Sequence, residues 1–162
     1  MNYAAIAAQL KAKLEEIPVA SIGTVYTRQR YVVNWSQMLD IHVPTGTTLA
    51  VFTWMTRDAI TPIPERDEAE VAVTAMEQQR WRIIHVRQFE DDDASASEPL
   101  FQATCDLIVD KFILLDQIGI ATEVHRSEPI RMDSARLAWL GEEALVHIAE
   151  FTIQLNVRDI TP

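Results

Sequence analysis

Apolar residues recur at helical spacing in two stretches of this chain and alternate with polar residues through most of the remainder. Tyr3, Ile6, Ala7, Leu10, Leu14 and Ile17 fall on one stripe, and Lys11, Lys13, Glu15 and Glu16 lie mostly on other faces, as the 3.6-residue period of an amphipathic helix requires. The spacing predicts a helix from Asn2, an acceptable N-cap, to Ile17, with Pro18 ending it. A second helix is predicted over Glu98 to Leu115. Ser97 supplies its cap, and Glu98 and Pro99 suit its first turn. Leu100, Phe101, Thr104, Leu107, Ile108, Phe112 and Leu115 form a wide apolar face that ends before Gly119.

Elsewhere the period shortens to two. From Thr24 to Val33, Val25, Thr27, Gln29 and Tyr31 alternate with Tyr26, Arg28, Arg30 and Val32, which reads as a strand with one face partly solvated. Asn34 to Ile41 admits two readings, a short helix capped by Asn34 with Trp35, Met38 and Leu39 inward, or an irregular crossing. His42 to Gly46 reads as a turn, and Leu49 to Thr56 as a second apolar strand. Ile60-Thr61-Pro62-Ile63-Pro64 is expected to break the ladder, since proline lacks a backbone donor, leaving an edge or a loop. Glu65 to Glu68 continue it as a solvated link, and Glu70 to Met76 is a short strand candidate. Gln78 to Phe89 is a stronger one, with Trp81, Ile83, His85 and Phe89 on one side and Arg80, Arg82 and Gln88, joined by Ile84 and Val86, on the other. Apolar residues on both faces suggest a contact with another subunit. After the second helix, Ala121 to Ser127 is extended, Glu128-Pro129 bends the chain, Ile130 to Leu140 is less regular, and Gly141 with two glutamates makes a turn. Ala144 to Val157 has the cleanest alternation, Phe151, Ile153, Leu155 and Val157 against Glu150, Thr152, Gln154 and Asn156, the pattern of a half-buried antiparallel strand.

These elements together predict a single α+β domain spanning residues 1–162, a mixed and largely antiparallel sheet with two main helices packed on it. A length of 162 residues suits one core, and 48% hydrophobic with 23% charged residues is globular composition rather than that of a disordered chain. No apolar run approaches the roughly 20 residues that span a bilayer, and the first residues lack the pattern of a secretory signal. A single cysteine, Cys105, leaves no partner for an internal disulfide, which suits a reducing compartment. A formal net charge of −10 disfavours specific binding to nucleic acid, which draws on clustered Lys and Arg, and serves solubility.

Residue chemistry points to no reaction and to no cofactor. The four glycines of the chain form no G-x-G-x-x-G, and there is no H-E-x-x-H, paired-cysteine site or G-x-S-x-G elbow, so phosphate cradles, zinc sites and nucleophile turns all lack their signatures. His85, His125 and His147 would form a metal face only if strand pairing gathered them, and Cys105, near the apolar face of the second helix, reads as a small core residue. The run Glu90 to Ser97 opens with four successive acids, Glu90, Asp91, Asp92 and Asp93. Mutual repulsion favours an exposed loop, and a hard cation such as Mg²⁺ is the alternative, although the register of a calcium loop is absent.

Three segments carry a resemblance. They are the opening helix running into Gly23-Thr24-Val25-Tyr26-Thr27-Arg28, the strand RWRIIHVRQFEDDD followed by the helix SEPLFQATCDLIVDKF, and the closing hairpin ending in ALVHIAEFTIQLNV. In this order they resemble the phage tail terminator and minor tail proteins. The resemblance implies a structural virion protein of a phage or prophage tail, a homo-oligomeric ring, usually a hexamer, that caps the finished tail tube and prepares it for head joining. Its partners would be tail-tube and head-connector proteins. Its place would be the virion tail, assembled in the host bacterial cytoplasm, and Glu90, Asp91, Asp92 and Asp93 would lie at a subunit boundary or a lumen. Two alternatives stand beside it, a small α+β ligand-binding domain or enzyme, and a head-completion connector.

Overall fold

The computed structural model describes residues 3–29, 37, 41–43, 49–63, 76–91, 96–113, 124–126, 128–140 and 144–158. Helix α1 (Tyr3–Leu14) opens the chain, followed by a single turn, α2 (Val19–Ile22), and a short strand, β1 (Thr24–Tyr26). Two long strands come next, β2 (Val51–Ile63) and β3 (Met76–Gln88). Helix α3 (Ser97–Ile113) precedes β4 (Val124–Arg126), β5 (Arg131–Leu140) and β6 (Ala144–Arg158). The strands form one mixed sheet in the order β1-β2-β3-β6-β4. Among the described residues only β1 and β2 run parallel, and the other pairings are antiparallel. The α+β class expected from the two periodicities is the class observed.

β6 is the spine of this sheet. One of its edges pairs with β3 from Val146 to Arg158. The other takes β5 along Ala144 to Thr152 and β4 along Leu155 to Val157. Its alternation sorts the layers as the sequence predicts. Ala149, Phe151, Ile153, Leu155 and Val157 are buried beneath the helices, in one cluster with Ile6, Leu10 and Leu14 of α1 and Phe101, Ile108 and Phe112 of α3. Burying an aromatic or branched side chain of this kind contributes on the order of 1.5–3 kcal/mol.

The opposite face of the sheet is also covered at one end. Val86 is buried there and Ile84 half-buried. They join Phe52, Trp54, Ala144 and Val146 in a second cluster, roofed by the ring of His42, which stacks on Phe52 at 4.0 Å and meets Tyr26 edge-on. Farther along, this face becomes polar. A ladder of alternating charge crosses four strands, from Asp58 to Arg82 at 2.7 Å, Arg82 to Glu150 at 3.7 Å and Glu150 to Arg136 at 3.6 Å. The hydrogen bond that Arg82 donates to Asp58 holds its guanidinium above its ordinary pKa.

Four expectations change. The ladder does not break at the prolines, for β2 continues to Ile63 with Pro62 opposite Glu77. β1 covers only Phe52 to Trp54, so β2 is an edge beyond that point among the described residues, and at an edge a missing N–H costs no pairing. Ile130 to Leu140, read as irregular, contains the ten-residue strand β5, whose alternation changes phase at a bulge between Met132 and Ser134. The first strand is shorter than expected, with bends already at Thr27 and Arg28. Helix α3 is turned so that Phe101, Cys105, Ile108 and Phe112 face the sheet, leaving Leu100 and Leu107 exposed, because its apolar stripe is wider than the contact it makes. The strand candidate at 70–75, the turn at 44–46, the link at 65–68 and most of 34–40 lie outside the described residues.

Candidate interaction surfaces

The acidic turn leaves β3 under tight backbone control. The Phe89 N–H donates to the Leu145 carbonyl, and the Ser97 N–H donates to the Glu90 carbonyl at 3.0 Å. Ser97 is the first residue of α3, and its hydroxyl serves this turn, accepting from the Glu90 N–H at 2.8 Å and donating to the Glu90 carbonyl at 3.0 Å. The acids therefore begin at a fixed point where β3, β6 and α3 meet. Glu90 is half-buried and Asp91 exposed, while Asp92 and Asp93 lie outside the described residues. No group of three or more His, Cys, Asp or Glu side chains among the described residues is arranged to hold a metal ion.

His85 and His147 do not meet. His85 and His147 lie on the helix-facing side of β3 and β6, with Phe101 of α3 between them, its ring 5.7 Å from the first and 5.0 Å from the second. His125 lies on β4, in register with Asn156 of β6. Thr53 Oγ1 donates to the Ile22 carbonyl, so the His85 Nδ1 at 3.0 Å must be the donor to that hydroxyl, which has only one hydrogen of its own. Complete burial pushes His85 down to about 3, with the Arg87 guanidinium adding to the effect, and fixes the imidazole as neutral. Arg87, also buried, donates from Nη2 to the Ala20 and Ser21 carbonyls at 3.1 and 3.0 Å. Ser97 beside His147 is a serine–histidine contact, but the hydroxyl is fully buried and already committed to Glu90. Burial pushes the Cys105 thiol up to about 12, far from a thiolate.

No known protein family and no curated protein matches the sequence. The fold does match. A chain from the virion of a native gene transfer agent particle superposes with a TM-score of 0.53 at 13% identity, over 97% of this chain and 94% of its own. At that identity the likeness is one of fold, over nearly the whole length of both chains.

A surface that the sequence reading missed lies at the sheet's far edge. β5 pairs only with β6 among the described residues, and it carries three of the chain's exposed large apolar side chains, Met132 at 43%, Leu137 at 49% and Trp139 at 66%. The register places Met132, Ala135, Leu137 and Trp139 opposite Phe151, Ala149, His147 and Leu145, on the helix side of the sheet, beyond the cover that the helices provide. The signal was present in the sequence. Ala135, Leu137 and Trp139 keep period two, but the bulge offsets Met132 from them by three positions and hides the pattern. Leu100 and Leu107, two turns apart on α3, give a second exposed apolar stripe.

Proposed function

We propose that this chain is a structural protein of a phage or phage-like virion, one that caps the tail tube as an oligomeric ring and prepares it for head joining. The whole-length likeness to a chain of a gene transfer agent virion supports this reading. Two properties agree with it. The described surface offers apolar stripes on β5 and α3 for protein contacts, while His85 and Cys105 sit in buried, neutral settings unsuited to proton transfer or nucleophilic attack. Catalysis is not part of the reading, and neither a cofactor nor a metal is assigned. With a net charge of −10, copies repel one another until ions screen them, and ring formation is expected to rise with ionic strength or Mg²⁺. In a ring, Glu90 and Asp91 are assigned to a subunit boundary or the lumen.

Purified protein mixed with tail tubes and imaged by negative-stain electron microscopy tests the assignment. Rings seated at one end of the tubes are the expected result. Binding to heads instead of tubes would move the protein to a head-completion role, and a chain that stays monomeric in Mg²⁺ with tubes present would overturn the proposal.

A further inference from the structure

Among the described residues, the two open sides of the sheet are not equivalent. Beyond β1, the edge of β2 carries Pro62 and a bulge between Arg57 and Ala59, both of which discourage a further strand. The edge of β5 has its bulge near its start, at Asp133. From Ala135 to Leu140 it is regular, without proline or glycine, and bears Leu137 and Trp139 exposed. An exposed apolar edge of this kind pairs with another strand unless something guards it.

The sequence Ala135-Arg136-Leu137-Ala138-Trp139 is complementary to itself. In an antiparallel pair centred on Leu137, the large Trp139 of each copy lies across from the small Ala135 of the other, and Leu137 meets Leu137. On the opposite face Arg136 lies across from Ala138, so no like charges are opposed, and Arg136 keeps its own Glu150 at 3.6 Å. Cross-strand pairs of this kind are the unit of sheet stabilisation. We infer that a second copy of this chain covers the β5 edge of the free protein, forming a two-fold dimer through antiparallel β5–β5 pairing centred on Leu137. The contact is closed, since each copy uses the same edge, and it does not propagate. It concerns the free protein and stands apart from the virion reading. Failure here would leave that reading untouched, because its support is the whole-chain fold.

Register-specific crosslinking tests the inference. Paired Cα atoms of antiparallel strands stand about 4.5–5.5 Å apart, within disulfide reach of roughly 4.4–6.8 Å, whereas positions four residues out of register stand about 13 Å apart. Analytical ultracentrifugation of the unaltered chain should show a dimer at micromolar concentration. Under mild oxidation Leu137→Cys should give a reducible covalent dimer. Ala135→Cys and Trp139→Cys should each fail alone and crosslink when the two chains are mixed. The unaltered chain, whose Cys105 is buried, is the control. Leu137→Arg, at an exposed position, should give a monomer that keeps the parent's circular-dichroism spectrum and a cooperative melt. A monomeric parent, a Leu137→Arg chain that stays dimeric, or Trp139→Cys crosslinking to itself would each overturn it.

Discussion

Nε2 of His147 lies 2.9 Å from the Ser97 hydroxyl, which spends its single hydrogen on the Glu90 carbonyl. The imidazole is therefore the donor, and one buried histidine ties the first residue of α3 to β6. Replacement by phenylalanine keeps the ring against Phe101 but removes that donor. His147→Phe is expected to lose about 0.5–1.5 kcal/mol, the net contribution of one hydrogen bond, since Ser97 keeps its two bonds to Glu90. The urea midpoint checks this, and an unchanged midpoint would show that the serine bond carries no weight.

Both buried histidines set an acid limit. Burial holds His147 below its ordinary pKa, and His85 falls to about 3 from 6.5. The unfolded chain thus binds protons that the folded chain refuses, and their stabilisation is complete above about pH 6.5 and is lost as pH falls. For His85 the window runs down to about pH 3, with a slope approaching about 1.4 kcal/mol per pH unit for one proton. Urea midpoints between pH 7 and pH 4 should fall less steeply in His85→Gln than in the parent. Parallel curves would contradict a neutral, buried His85.

Gly23 has a φ of 70° and receives the chain from α2, with its N–H on the Val19 carbonyl at 2.8 Å. A Cβ there would overlap the Val51 carbonyl, so both the backbone conformation and the space demand glycine. Gly23→Ala is expected to cost more than about 2 kcal/mol and to loosen the pairing of β1 with β2. Faster amide exchange along Thr24 to Tyr26 would show it. Unaltered exchange and melting would mean that the turn yields without cost.

Phe151 and Leu107 separate core from surface. Phe151→Ala removes a ring that is fully buried and is expected to cost about 3–5 kcal/mol. Leu107→Ala acts at a residue 38% exposed and should fall within about 1 kcal/mol of the parent. Thermal melts decide between them, and equal losses would mean that α3 is rotated from the orientation described here.

The parts of the fold that were legible in the sequence are those whose inward side chains all point one way. α1 and β6 are such elements, since Ile6, Leu10 and Leu14, or Phe151, Ile153 and Leu155, keep one period and bury one face. β5 was obscured because a single extra residue at its bulge reverses which positions face the helices. The continuation of β2 past Pro62 depends on β1 ending at Tyr26, a non-local fact that no local pattern contains. α3 was placed correctly but turned too far, since leucines outside the contact look the same in sequence as those within it. The acids of the β3–α3 turn were visible as a group, whereas the open edge of β5 emerges only from strand order.

β6 is the last of the described elements to leave the ribosome, and it is the strand on which β3, β4 and β5 all depend for pairing. Until it arrives, β3 has a partner on one side only, and Trp81 and Ile83 lack the neighbours that complete their burial. The nascent chain thus carries an unfinished sheet for most of its synthesis, a state prone to sticking to its neighbours. A single strand, β6, joins the β2–β3 pair to the outer strands. Chaperone demand and sensitivity to premature termination should both concentrate in the interval before Ala144 to Arg158 has been made.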